Sequence, residues 1–402
     1  MKNGWQTKKL GAVCEVMNGG TPKTGVPEYW DGSNLWITPV EMGRRLIPYV
    51  GDTERKITDL GLRNSSAQML PPNSVILSSR APIGHLVINT EPMATNQGCK
   101  GLIPGGQLHH KFLYYYLSSI VDLLNSLGAG ATFKELSGGK LKEVTIPVPS
   151  LPEQQRIVGL LDEAFEGIAT AKANAEKNLL NARALFESHL QSVFSQRGPG
   201  WVEKPLSELC NIKHGFAFKS EFFTSEGDYV LLTPGNFFES GGYRDRGEKQ
   251  KYYIGEIPRD YVLNEGDLLV AMTEQAAGLL GCPILIPESD KFLHNQRLGL
   301  VTKKPGVPWT NEFFFYVFNT QAVRKEIHDS ASGVKVRHTS PTKIGEVMVS
   351  FSTSLPEQRA IVSTLENLRE ETQRLATLYE RKLAALEALK KSLLHQAFTG
   401  QL

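Results

Sequence analysis

The chain repeats itself. Ser150-Leu151-Pro152-Glu153-Gln154-Gln155-Arg156-Ile157-Val158 returns 204 positions later as Ser354-Leu355-Pro356-Glu357-Gln358-Arg359-Ala360-Ile361-Val362. At an offset of 196, Gly4-Trp5, Leu10, Cys14 and Gly19 return as Gly200-Trp201, Leu206, Cys210 and Gly215. Between these anchors the offset drifts but the order holds. Thr38-Pro39 pairs with Thr233-Pro234, Asn96-Gln97 with Asn295-Gln296, the aromatic run from Phe112 to Tyr116 with that from Phe313 to Tyr316, and Lys140-Leu141 with Lys343-Ile344. Duplication of the whole unit constrains the fold more than composition does, because two copies of one pattern fold into two copies of one structure.

Each copy has two textures. Roughly its first 150 residues mix Gly and Pro with short β-favouring runs, among them Ser74 to Ser78 and Asp267 to Ala271, which predicts an α+β domain rich in loops. The rest of each copy is helical in pattern. Apolar or small residues recur at steps of three and four: Ile157, Leu161, Ala164, Ile168, Ala171, Ala175, Leu179, Ala182 and Phe186 in the first copy. The second has Ile361, Leu365, Leu368, Thr372, Leu375, Tyr379, Leu383, Leu386, Leu389 and Leu393. Such spacing makes a coiled-coil seam. Ser150 and Ser354 can cap, Pro152 and Pro356 suit the first turn, and Glu153 and Glu357 meet the positive end of the helix dipole. Gly198-Pro199-Gly200 stops the first helix, so the pattern predicts a helix over 152–196, roughly 67 Å at 1.5 Å per residue. That length overhangs a single domain about 30 to 40 Å across, so the two helices are expected to pair with each other. If they pair antiparallel, the domains fall at opposite ends of a rod, related by a pseudo-twofold axis.

Few enzyme classes survive inspection. The phosphate-cradling pattern G-x-x-x-x-G-K-[ST] is absent, since Leu141 follows Ser137-Gly138-Gly139-Lys140. Gly128-Ala129-Gly130-Ala131-Thr132-Phe133 has Phe where a dinucleotide fingerprint needs its third glycine. Pro71-Pro72 lies between Leu70 and Asn73 and lacks the flanks of an adenine methyltransferase clamp. The 9 histidines are scattered, and Cys14, Cys99, Cys210 and Cys282 never approach C-x-x-C spacing, so no metal site and no catalytic residue are expected. No run of about 18 apolar residues and no leader-like opening occur, which predicts no membrane contact and a reducing cytoplasm.

A repeated pair of heads on a stiff spacer suits a bipartite ligand of fixed spacing, and DNA is the commonest of these. The loop Gly19-Gly20-Thr21-Pro22-Lys23-Thr24 and its counterpart around Lys219 and Ser220 offer hydroxyls, amides and lysines for phosphates, or are simple strand-connecting turns. Ser79 and Arg80 follow one apolar strand, and Thr273, Glu274 and Gln275 follow its aligned partner. There they could reach base edges, unless Arg80 holds a carboxylate of its own domain. Lys134, Lys335, Arg337 and His338, just upstream of the helices, are further candidates. Asn96-Gln97 and Asn295-Gln296 tempt one toward adenine contacts, but a feature common to both heads cannot explain different reading by each, so a structural role is favoured. The charge is modest for a binder of a polyanion. Net charge is +2, residues 1–151 carry 15 basic and 11 acidic side chains, and residues 198–355 carry 17 and 19. A strong field must therefore come from local patches or from a partner.

The paired Leu-Pro-Glu-Gln motifs, Ser-Ser-Arg-Ala-Pro-Ile-Gly at 78–84, Asn96-Gln97, Gly-Ala-x-x-Thr-Phe-x-x-Leu at 128–136 and Leu-Leu-x-Gln-Ala-Phe-Thr-Gly at 393–400 together resemble the specificity subunit of Type I restriction-modification systems. The resemblance covers essentially the whole chain. It implies target-recognition domains at 1–149 and 199–353, helical spacers at 150–198 and 354–402, and an antiparallel coiled coil with Ile157, Leu161, Ile168, Leu179, Ile361, Leu365, Leu368, Leu375, Leu383 and Leu386 in its seam. It further implies double-stranded DNA, two methyltransferase subunits and two restriction and translocation subunits as partners. S-adenosylmethionine, ATP and Mg would belong to those partners, and this chain would carry no cofactor. The second head departs from the pattern: Thr273-Glu274-Gln275 stands where the first has Ser78-Ser79-Arg80, and Val334 to His338 falls near Thr132-Phe133. A stand-alone regulator or an architectural coiled-coil protein is the alternative, expected to show a basic helix or a helix-turn-helix.

Overall fold

The structure is a computed structural model that describes residues 4–80, 82–130, 134–274 and 278–402. The chain forms two compact units, one of residues 1–176 with 380–402 and the other of residues 177–379.

In the first unit, Cys14–Asn18, Cys99–Pro104, Val75–Ser78, Leu86–Asn89 and Tyr49–Val50 form one sheet in that order, antiparallel except at the last pair. Its central strand is apolar on both faces for a simple reason. Side chains alternate along a strand, and here Val75 and Leu77 enter one core with Phe112, Leu113 and Leu117 of the helix His110–Ser119, while Ile76 enters a second with Ile37, Met42 and Val87. A smaller sheet of Arg55–Ile57, Trp30–Ile37 and Met93–Thr95 stands beside it, and Gln6–Lys9 pairs with Thr145–Val148 just before the first long helix.

The second unit repeats this plan in its own residues. Cys210–His214, Leu298–Lys303, Leu268–Ala271 and Pro283–Leu285 form the main sheet. Leu268 and Val270 face a core with Phe313, Phe314 and Phe318, while Leu269 and Ala271 face another with Leu232 and Phe292. Trp201–Pro205 pairs with Met348–Ser352 just before the second long helix, as Gln6–Lys9 pairs with Thr145–Val148 before the first.

The long helices run Leu151–Ser195 and Leu355–Thr399, 45 residues each, within a residue of the expected limits of the first. The motif that introduces them ties each to its head. Gln154 is wholly buried; its Oε1 accepts from the His109 amide at 2.8 Å and its Nε2 donates to the Gln107 and Pro149 carbonyls, both at 2.9 Å. Gln358 does the same in the second unit, accepting from the Thr310 amide at 3.1 Å and donating to the Pro308 and Ser352 carbonyls at 2.8 Å. Within each unit the helical segments run antiparallel. Arg156 Nη2 donates to the Leu402 carbonyl and Lys172 pairs with Glu387 in the first unit, while Arg369 lies 5.2 Å over the Phe186 ring in the second.

The expected seam has two kinds of member. Ile157, Leu161 and Leu365 are fully enclosed within the cores of their own heads, and Ile361 packs against one of them, so the first turns behave as domain core. Ile168, Leu179, Leu368, Leu375, Leu383 and Leu386 are half-buried, with Ala175, Ala182, Thr372 and Ala376 buried between them. Leu389, expected to continue the stripe, is instead 46% exposed. A straight helix drifts about 20° per heptad, and past half-buried Leu386 and exposed Lys390, whose ammonium lies 5.3 Å from the Phe165 ring, the buried positions are Leu394, Ala397 and Phe398 in the first head's core. Among the described residues no helix is long and apolar enough to cross a membrane.

Candidate nucleic-acid interface

At one end of the first head's main sheet the chain turns at Gly19-Gly20. A Cβ on Gly19 would fall 1.9 Å from the Asn96 carbonyl oxygen and one on Gly20 would fall 2.2 Å from the Ala67 amide, so only glycine permits this passage. The turn brings Thr21 against Asn96 and Gln97. Asn96 Nδ2 donates to Thr21 Oγ1 at 3.0 Å, Thr21 Oγ1 donates to Gln97 Oε1, and Asn96 Oδ1 accepts from the Gly98 amide at 2.8 Å. The second head builds the same frame, with a Gly215 Cβ position 2.1 Å from the Asn295 carbonyl and Asn295 Oδ1 accepting from the Arg297 amide at 3.3 Å. The repeated asparagines therefore hold loops.

Above this frame in the first head stand Arg80, Glu135 and Lys100. Arg80 and Glu135 face each other across a short antiparallel bridge, with Arg80 Nη2 donating to Glu135 Oε2 at 2.8 Å. Lys100 Nζ lies 3.9 Å from Glu135 Oε1 although Lys100 is only 5% exposed. The Arg80 hydrogen bond lowers the Glu135 pKa, and burial lowers that of Lys100 despite Glu135 beside it.

Backbone hydrogen bonds align the second head with the first. Ser79 N donates to Gly98 O and Leu136 N to Ser79 O; in the second head Met272 N donates to Arg297 O and Thr339 N to Met272 O. Ala129 and Glu135 exchange two hydrogen bonds, as Ser332 and His338 do. Ser137 and Ser340 then cap short helices through the amides of Lys140 and Lys343, and both lysine ammonium groups reach back to carbonyls, of Leu127 and Ser330. The counterpart of Ser79 is thus Met272, and that of the Arg80–Glu135 pair is Thr273–His338. The alignment of Thr273-Glu274-Gln275 with Ser78-Ser79-Arg80 is corrected by two positions.

Several expected contacts are turned inward. Ser79 is fully buried with its hydroxyl facing the protein, so it reaches no base edge. Glu274 is also buried, and its Oε2 accepts from the amides of Gly278, Leu279 and Leu280 at 2.9 to 3.1 Å. It organises a turn. Thr273 is buried too and meets His338 Nδ1 at 3.2 Å. Arg337 donates to the His328 carbonyl at 2.7 Å and lies against that ring, leaving it half-exposed. Exposed side chains remain at Lys23, Thr24, Lys134, Lys219, Ser220, Lys335 and His338, while Arg80 is 46% exposed and Thr21 is half-buried. Thr21 joins the frame through Asn96 and Gln97, Arg80 is held by Glu135, and Lys134 directly precedes that carboxylate in the chain; among the described residues no hydrogen bond or ion pair brings the side chains of Lys23, Thr24, Lys219 or Ser220 to the frame. Gln275, and Thr132 and Phe133 ahead of Lys134, lie outside the described residues. Sequence reasoning missed Lys100 and Glu135. Their signal was a lysine inside an otherwise apolar strand, paired in the repeat with Gly299, and one acid within a run treated as basic.

Two α+β heads of one plan, each carrying a polar loop cluster at a sheet end and each followed by a 45-residue helix, define a tandem recognition architecture. The profile of the family described as Type I restriction modification DNA specificity domain matches residues 2–181 and 199–382, and the chain belongs to that family. It is similar to the Type I restriction enzyme MjaIX specificity subunit of Methanocaldococcus jannaschii, 39% identical over 230 residues covering 52% of each chain. It is also similar to the EcoR124I/EcoR124II specificity subunit of Escherichia coli, 34% identical over 166 residues covering 40% of each. The matched part spans about half the length of these relatives, or less. In fold it resembles the HsdS subunit from Thermoanaerobacter tengcongensis, with TM-score 0.65, 17% identity and coverage of 100% of this chain and 98% of that one. A chain from a study of complex assembly and conformational transition of the type I R-M system gives TM-score 0.76 at 18% identity, covering 100% and 99%.

Proposed function

We propose that this chain is the DNA-recognition subunit of a Type I restriction-modification complex, reading a bipartite, asymmetric target with one head for each half. One observation carries the reading: the heads share a frame and differ in the side-chain pair that stands beside it. Gly19 with Asn96 matches Gly215 with Asn295, and Ser137 matches Ser340, while Arg80–Glu135 is replaced by Thr273–His338. A conserved frame with exchanged side chains suits two different half-sites on one kind of ligand. The chain itself is non-catalytic in this reading. Two methyltransferase subunits supply adenine methylation from S-adenosylmethionine, and two restriction subunits supply ATP- and Mg-dependent translocation and cleavage. The shared helix starts, clasped by Gln154 and Gln358, are the repeated features on which two copies of one partner would find equivalent footing. Methylome sequencing of the host with and without this gene tests the reading. The expected result is loss of one interrupted adenine-methylated motif with unequal halves; an unchanged methylome overturns it and favours a stand-alone regulator.

A further inference from the structure

The first head buries a lysine that the second head does without. Lys100 lies directly across from Leu77 in the sheet, and Ser79, two residues along, projects from the same face. In the second head the equivalent pair is Met272 and Gly299, and the Met272 sulfur lies 3.1 Å from where a Gly299 Cβ would be. One head thus fills the space with a small and a long side chain in one order, the other head in the reverse order. Packing is conserved while a charge is not. Burying an ammonium is costly unless it is paired, and here the nearest carboxylate, Glu135, stands at 3.9 Å and is already bonded to Arg80 at 2.8 Å. The Ser79 hydroxyl, on the same face of the sheet, is buried without a hydrogen-bond partner. Two cations on one carboxylate leave the cluster with one net positive charge, displayed by Arg80, the most exposed of the three.

We infer that Arg80 is a phosphate-contacting arm peculiar to the first head and that Lys100 is its buried positioning residue, cancelling Glu135 so that the arm meets DNA as a net cation. Glu135 holds the guanidinium in place through one N–H, leaving its other donors for a phosphodiester oxygen. Without Lys100 the Arg80–Glu135 pair is neutral and has no long-range attraction for the backbone. The second head, with Thr273 and His338 at these positions, lacks this anchor. The inference rests on the DNA-recognition reading above.

The test uses the full chain co-purified with its host's methyltransferase subunit, binding a mixed-sequence duplex over a range of salt concentrations. Each phosphate contact contributes about 0.9 to the slope of log K against log salt. Lys100→Met and Arg80→Met are each expected to lower that slope by about 0.9. Ser79→Met/Lys100→Gly, which copies the packing of the second head, should behave like Lys100→Met. Lys100→Met/Glu135→Gln restores the single positive charge and should restore the slope, which a merely structural lysine would not do. An unchanged slope in Lys100→Met, or a loss that Glu135→Gln fails to rescue, overturns the inference while leaving DNA recognition intact. A wild-type complex that binds no DNA overturns both.

Discussion

His294 shows how a single buried side chain couples this fold to pH. It is wholly enclosed, its Nε2 donates to the Leu298 carbonyl at 2.9 Å, and its Nδ1 is buried without a hydrogen-bond partner. Burial drives its pKa from the usual 6.5 down to about 4, because an imidazolium there would have no water. The unfolded chain therefore takes up a proton between these values that the folded chain refuses. Stability is complete above pH 6.5 and declines as pH falls toward 4, by about 3 kcal/mol at 1.36 kcal/mol per unit. His294→Gln keeps a donor for Leu298 and removes the titration. Urea midpoints measured across that window should fall less steeply for the variant, and an equal fall in both proteins would remove burial of His294 as the cause. At this scale the sequence was least legible. Ser79 and Glu274 looked like readers because they follow apolar strands, but a position after a strand does not reveal which face the side chain takes. Ser79 continues the alternation into the core, and Glu274 is captured by three amides of a turn only a few residues on.

At the scale of elements the repeated Leu-Pro-Glu-Gln motif acquires a physical meaning. The proline and the capping serine mark a helix start, which periodicity alone already announced, whereas the glutamine fastens that start to the loop preceding the head's aromatic helix. Gln154→Ala would strip partners from the His109 amide and from the Gln107 and Pro149 carbonyls. The expected loss is about 3 kcal/mol, since each buried orphan costs about 1 to 3 kcal/mol and water recovers part. Gln154→Glu should be no milder, because a carboxylate would present an acceptor to two carbonyls. Urea unfolding of the full chain reads both changes, and a neutral Gln154→Ala would reduce the motif to a helix cap. Helix extent was legible because a 45-residue stripe averages over local exceptions. The end of the stripe was not: Leu389 obeys the heptad on paper, but the helix end is claimed by Phe112 and Tyr116, which hold Phe398 at ring distances of 5.1 and 5.2 Å. The strands of the main sheets were legible as short apolar runs, yet their order was not, since pairing partners are distant in sequence.

For the whole molecule the duplication was the most legible feature, and it carries the largest consequences. Its near-neutral charge, +2 overall, predicts that the chain alone binds DNA weakly at physiological salt, where electrostatics supplies most non-specific affinity. A gel-shift titration without partners should show no tight, sequence-specific complex; such a complex would mean that partners add no positive surface. The helices carry the second consequence. If their length sets the gap between the two half-sites, equal insertions in both must lengthen the gap, because one turn of roughly four residues adds about 6 Å of helix. At about 3.4 Å per base pair this is one to two base pairs of spacer. The insertion must be made in both helices, since lengthening one alone breaks the antiparallel pairing that Lys172 with Glu387, and Arg369 with Phe186, mark within their units. Placed in the mostly exposed stretch between Ile168 and Leu179, clear of buried Ala175, and in the corresponding part of the second helix, a turn adds few new core contacts and leaves the clasps at Gln154 and Gln358 untouched. Methylome sequencing of cells carrying the lengthened chain should then return the same two half-sites with a longer spacer. The same halves at the original spacing would show that the helices join the heads without measuring the distance between them.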